Sequence, residues 1–306
     1  MSENALVENI KGIPPVTRFY TISSVLVCLA ISTFDALPSL YISYNEIEFG
    51  LSLIYQSIRK GGYLFALKTV GHLLLNSYKF LTSVLIPSGI VGPNKFNALL
   101  DIYFFYTFSN HLEADGKFKG NFPDFLWFNI LCSTCIYIFS FIYNIFQPQL
   151  FFPHEILLAC ITYVWSRANK NAKINLIGLV PIKAYYLPLG NLLVKMILGG
   201  PTALIDTLMG IITGYLYLCV QSQTIPFYNL LQEVKHQRVG QNNEIIGDSI
   251  YDKGYLKAPK WLYEILKTPY TPPPTQSKIE IKQQPSNVNY WFGESAFKGK
   301  GYRLGD

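Results

Sequence analysis

Apolar runs separated by short polar breaks occupy most of the chain up to Val220. The stretch Pro201–Val220, P-T-A-L-I-D-T-L-M-G-I-I-T-G-Y-L-Y-L-C-V, carries a single acid. About 20 such residues in helical form cross the hydrocarbon core of a bilayer. The pattern therefore predicts a membrane span there, and five more over Phe19–Leu37, Asn97–Asn110, Phe125–Tyr143, Leu150–Trp165 and Lys183–Leu198. Between the first two lies a mixed segment, Pro38–Asn94, in which Arg59, Lys60, Lys68, His72, Asn76 and Lys79 interrupt the apolar positions. It predicts short amphipathic helices in the interface, where long cations can reach water. The expected fold is all-α, a polytopic six-span bundle. Gly210 and Gly214 stand one helical turn apart in the last span, which lets a second helix approach backbone to backbone.

From Gln221 onward the chain turns polar and proline-rich, a composition that cannot bury a core and predicts a flexible tail. Two islands interrupt it: Leu256–Leu266, an amphipathic helix pattern with Trp261, Leu262, Ile265 and Leu266, and Phe297–Gly305, F-K-G-K-G-Y-R-L-G. The second reads as a short linear motif. Phe297 and Leu304 can fill pockets, Gly299, Gly301 and Gly305 let the backbone lie close to a partner, and Arg303 can pair with a carboxylate. The expected organisation is an N-terminal segment over 1–18, a membrane domain over 19–222 and a cytosolic tail over 223–306.

Charge sets the orientation. Lys117 and Lys119 follow the second span, and Arg167, Lys170 and Lys173 follow the fourth, whereas the alternate loops 144–149 and 199–202 are uncharged. The excess of cations in short cytosolic loops places both termini in the cytosol. The first loop, with its four cations, departs from that rule. The N-terminus lacks the pattern of a cleaved signal peptide, so the first span is expected to be retained. Half of the residues are hydrophobic and only 14% are charged, against about 25% in soluble domains. The net charge of +6 forms no basic stripe with interleaved aromatics, so no nucleic acid is expected as a partner. Cys28, Cys132, Cys135, Cys160 and Cys219 all lie in apolar runs. The C-x-x-C of Cys132 and Cys135 has no second pair or nearby histidine to complete a zinc set. No metal or cofactor is expected.

Several motifs remain: I-P-P-V-T-R-F-Y (Ile13–Tyr20), Y-T-F-S-N-H-L-E ending at Glu113, T-Y-V-W-S-R (Thr162–Arg167), the run Gly178–Pro188 ending in K-A-Y-Y-L-P, G-x-x-x-G-Y-x-Y (Gly210–Tyr217), and L-K-A-P and I-L-K-T-P in the tail. In this order and spacing the chain resembles the derlins, the proteolytically inactive branch of the rhomboid superfamily. The resemblance implies a rhomboid-like bundle in the endoplasmic reticulum membrane that binds misfolded client proteins, perturbs the lipid bilayer and aids retrotranslocation for degradation. It also implies a membrane ubiquitin ligase complex as partner, and it identifies Phe297–Gly305 as the box that binds the valosin-containing AAA+ ATPase. Homo- and hetero-oligomers both stay open. Where the family carries Trp-Arg in the first loop, this chain has Tyr78 and Lys79, and lysine lacks the planar fork of arginine. The stretch of about 50–75 is longer than in typical derlins.

A rhomboid protease needs a serine in a G-x-S-G context on the fourth span and a histidine on the sixth, because a serine hydroxyl is a poor nucleophile without a base. No G-x-S-G occurs, and Thr207 stands where the histidine would be. His154 falls near the missing serine and reads as an interfacial histidine or, alternatively, as a displaced catalytic group. Lys195 reads as a lysine reaching toward the interface. Asp206 reads either as an inward-facing acid or as a polar contact for a passing substrate. The chain is therefore expected not to be an enzyme. The alternatives are an active intramembrane serine protease with displaced residues, and a small-solute transporter using Lys183, Lys195 and Asp206.

Overall fold

The computed structural model describes residues 11–91, 95–147, 150–169, 172–176, 180–222 and 256–270. The first helix, α1 (Pro15–Phe34), begins on a proline, whose missing N–H removes one of the orphan donors of a helix start. The next donors are taken by Glu113, the acid that closes Y-T-F-S-N-H-L-E. Its carboxylate accepts from the Val16 N–H at 3.0 Å, the Thr17 N–H at 2.8 Å and the Thr17 hydroxyl at 2.7 Å. A buried carboxylate thus sits at the positive end of α1 and fixes it against the last turn of the helix over Phe96–Ala114.

Between these helices, 37–90 folds as short helices: α2 (Leu37–Leu40), α3 (Tyr44–Arg59), α4 (Tyr63–Leu75), α5 (Tyr78–Ser83) and a 3-10 turn at Ser88–Ile90. Helices α3 and α4 pack as a hairpin, and Phe49, Tyr55, Leu64, Leu67, Leu74 and Leu75 stay exposed along it. Tyr78 donates to the Ser39 carbonyl at 2.9 Å, while Lys79 reaches the Pro38 carbonyl at 3.2 Å and Glu46 at 3.4 Å. Tyr78 and Lys79 therefore tie α5 to the turn after α1. Lysine does so with single contacts, in keeping with its point charge.

The remaining elements are α6 (Phe96–Ala114), α7 (Phe122–Phe146), α8 (Pro153–Ala168), the antiparallel pair β1 (Lys173–Leu176) and β2 (Val180–Lys183), α9 (Leu187–Ser222) and the short α10 (Lys260–Ile265). Helix α9 has two arms, 187–199 and 201–222. Gly200, with φ 73° and ψ −163°, breaks it in a conformation open essentially to glycine alone, and Pro201 restarts it. Among the described residues, three helices are long and apolar enough to cross a membrane: Pro15–Phe34, Phe122–Phe146 and Gly199–Gln221. Phe19, Ile22, Leu26 and Leu29 on α1, and Leu208, Ile212, Leu216 and Val220 on α9, form outward apolar stripes that only lipid accommodates.

Observed helices differ from the expected spans at several ends, the first running over Pro15–Phe34 rather than Phe19–Leu37, and two of the shifts have a local cause. The helix expected from Leu150 starts at Pro153, because proline favours the first turn. The helix expected from Lys183 starts at Leu187, because Val180–Lys183 pairs with Lys173–Leu176, and the Ala184 N–H bonds the Ala172 carbonyl at 2.8 Å. The hairpin itself was not foreseen. The tail island Leu256–Leu266 is helical only over Lys260–Ile265. It docks on the start of α7: Asp124 accepts from the Ala258 N–H at 3.0 Å and the Tyr263 hydroxyl at 2.8 Å, and Leu262 and Tyr263 are buried against Leu126 and Trp127. Phe297–Gly305 lies outside the described residues.

Helix α8 is the centre of the bundle, buried from Pro153 through Arg167. Against it lies the second arm of α9, and the two glycines set how close it comes. A Cβ on Gly210 would fall 2.3 Å from the Ile156 carbonyl oxygen and 2.7 Å from the Ala159 Cβ. One on Gly214 would meet the Tyr163 ring at 3.0 Å and the Cys160 carbonyl oxygen at 3.1 Å. The first clash is with backbone, the second partly with a ring that can turn. Gly210→Ala should therefore lower the thermal midpoint of the detergent-solubilised protein more than Gly214→Ala, by an overpacking cost of about 1–3 kcal/mol. Equal midpoints for both variants and the parent would refute contact at this seam.

Candidate functional site

One end of the bundle is joined by the sequence motifs themselves. The Trp165 indole N–H donates to His111 Nδ1 at 3.0 Å, linking T-Y-V-W-S-R to S-N-H-L-E. The Arg167 guanidinium lies 4.5 Å from the Tyr185 ring centre and 5.0 Å from that of Tyr163, which links the same motif to K-A-Y-Y-L-P. Tyr217, from G-x-x-x-G-Y-x-Y, packs edge-on against Phe128. Burial raises the pKa of Glu113, against the pull of the Thr17 and Val16 hydrogen bonds and Arg18, and lowers that of His111, against the pull of Asp115. A neutral His111 ring is the form that can accept from Trp165.

The opposite end holds charge. Lys195, on the first arm of α9, reaches Glu155 on α8 at 2.5 Å and Asp101 on α6 at 3.6 Å. Asp206, on the second arm, lies within the field of that same pair and is only 6% exposed. Sequence reasoning foresaw Lys195 and Asp206 but neither acidic partner of Lys195. The lysine does not extend to the interface; it turns inward because two buried carboxylates offer it more than water at a distance. Asp101 and Glu155 were legible as acids inside apolar runs, but helical spacing alone does not show that they meet.

His154 and Thr207, which the sequence reading aligns with the rhomboid dyad, are both fully buried. The His154 Nδ1–H donates to the Val84 carbonyl at 2.9 Å, and the ring stacks on Phe105 with centres 5.1 Å apart. It is therefore a core histidine rather than an interfacial one, because Phe105 and the end of the first loop close over it. The Thr207 hydroxyl donates to the Ala203 carbonyl of its own helix at 2.8 Å. No described hydrogen bond joins a hydroxyl or thiol to His154 as a nucleophile would be joined to its base. Among the described residues no group of three His, Cys, Asp or Glu is placed to hold a metal ion, and the five cysteines form no disulfide.

Comparison with known proteins places this architecture. The sequence model described as the Der1-like family matches residues 63–238, more than half of the chain. The chain belongs to the Der1-like family. It is 30% identical over 221 residues to Derlin-1.2 of Zea mays, covering 70% of this chain and 74% of that protein. It is 34% identical over 151 residues to Derlin-1 of Arabidopsis thaliana, covering 49% and 46%. Over 128 residues it is 33% identical to Derlin-1 of Mus musculus, covering 42% and 48%. The Arabidopsis and mouse relatives are thus each matched over about half of their length. This Der1-like chain is a helical membrane protein with a joined motif face at one end and a buried charge cluster at the other.

The His111–Trp165 bond gives the Der1-like bundle a pH dependence. The unfolded histidine titrates near its ordinary value of about 6.5, and the folded one titrates lower. Below about 6.5 the unfolded state therefore binds more protons, and stability falls with falling pH. The thermal midpoint in detergent should drop between pH 7 and pH 5 more for the parent than for His111→Gln, which keeps an acceptor that does not titrate. Parallel curves for the two proteins would refute it.

Proposed function

We propose that this chain is a derlin of the endoplasmic reticulum membrane that binds misfolded client proteins, eases their passage to the cytosol for degradation, and performs no proteolysis. It is read as a six-span rhomboid-like bundle, residues 19–222, between a cytosolic segment 1–18 and a cytosolic tail 223–306. The observation that carries the reading is the state of the dyad positions: the Thr207 hydroxyl is bonded into its own helix, and His154 is packed on Phe105 and bonded to backbone. A serine hydrolase needs a hydroxyl hydrogen-bonded to a base; the Thr207 hydroxyl is bonded to the Ala203 carbonyl instead, and no described hydroxyl or thiol bonds His154.

Short helices supply the physical means. The first arm of α9, over 187–199, exposes Leu193, Met196 and Ile197 and spans about 20 Å at 1.5 Å per residue, below the ~30 Å of a typical hydrocarbon core. Lipid thins around such a mismatch, and a thinner core lowers the cost of moving polar peptide across it. The driving force is borrowed: Phe297, Gly299, Gly301, Arg303, Leu304 and Gly305 recruit the valosin-containing AAA+ ATPase, and a membrane ubiquitin ligase complex marks the client.

Removing Phe297–Asp306 should abolish co-purification of that ATPase from solubilised membranes while leaving membrane insertion unchanged; undiminished recovery would remove the box from this account. A serine-reactive fluorophosphonate should leave the purified protein unlabelled, and specific labelling would revive the protease alternative.

A further inference from the structure

The charge cluster does not balance. Asp101, Glu155 and Asp206 come from α6, α8 and the second arm of α9, and Lys195 is the cation set among them. Lys195 serves Glu155 and Asp101, whereas Asp206 Oδ1 is buried and has no hydrogen-bond partner among the described residues. His154 lies in the field of the same Lys195–Glu155 pair. Its Nδ1 carries the proton given to Val84, so its Nε2 is a bare acceptor, and that atom too is buried and unpartnered. The nearby Tyr41 hydroxyl is committed to the Phe151 carbonyl at 3.0 Å.

The Tyr44 hydroxyl is also buried and unpartnered and lies in the field of Asp206, but the unmatched atoms of Asp206 and His154 are acceptors in a region of excess negative charge. What completes them must donate hydrogen bonds and carry positive charge, which excludes anions and carbonyl ligands. A metal ion does not fit, since no described set of three ligating side chains converges. An ammonium or, with its five donors, a guanidinium does fit.

We propose that Asp206, together with Asp101 and Glu155, forms a receptor for a basic side chain of a bound polypeptide, with Lys195 as the resident cation that fills only part of it. The inference rests on the reading above that polypeptide segments are clients of the bundle, and it names what the bundle recognises in them. Access is lateral. Helix α9 packs extensively on α8 and α7 and scarcely on α6, so the Asp101–Lys195 pair spans the thinly packed side of the bundle. The Lys195 side chain remains 23% exposed at that edge. A basic residue within an apolar segment is costly in lipid, and such a segment gains a countercharge here that a wholly apolar one does not.

The test uses the full-length protein in lipid nanodiscs and synthetic apolar helical peptides of about 20 residues, each with one benzophenone. The peptides are identical except for Arg, Leu or Glu at one interior position. The Arg peptide should photocrosslink about tenfold more than the Leu peptide, and the Glu peptide less than either. Asp206→Asn should reduce the Arg peptide to the Leu level, while Asp206→Glu, which keeps the charge, should preserve the preference. Equal labelling by Arg and Leu peptides, or an Arg preference undiminished in Asp206→Asn, overturns the receptor while leaving client binding intact. Failure of all three peptides to label overturns client binding, and the receptor with it.

Discussion

The close approach of α8 to the second arm of α9 is the contact on which the rest of the bundle depends. Helix α8 is buried on every side from Pro153 to Arg167, so each neighbour takes its position from it. In lipid, apolar surface drives helices together no better than it drives them into the tails, and packing must come from direct contact of backbone and small side chains. Gly210 supplies that contact against Ile156 and Ala159, and Gly214 against Cys160 and Tyr163. Widening this seam would move Tyr163, and with it the ring face on which Arg167 lies.

The two ends of α8 do different work. At one end, Trp165 and Arg167 gather His111 and Tyr185, while Glu113 fastens the start of α1. Those residues bind the chain to itself. At the other end, Glu155 and His154 face Lys195, Asp101 and Asp206, and acceptors remain without donors. Unsatisfied buried groups persist where a ligand or a functional constraint accounts for them.

His154 and Thr207 are absorbed into the core, and the polar character nearby belongs to charged groups. The docked segment at Ala258–Tyr263 adds a second anchoring point, where Asp124 pins the chain after the last long helix.

Much was readable from the sequence because membrane helices announce themselves locally. The apolar lengths over 19–37, 125–143 and 201–220, the short helices of the first loop and the glycine spacing at 210 and 214 follow from composition and a 3.6-residue period. These are properties of neighbours along the chain. What required the tertiary structure was everything that depends on how helices are rotated against each other: Lys195 finding Glu155 across 40 residues, Glu113 reaching back to Val16 and Thr17, His154 covered by Phe105, and 173–183 closing into a hairpin. Hydrophobicity tells a helix that it belongs in lipid, but every apolar face is equally at home there. The side that turns inward was decided by the glycine seam and by buried charges that could be satisfied only by one another.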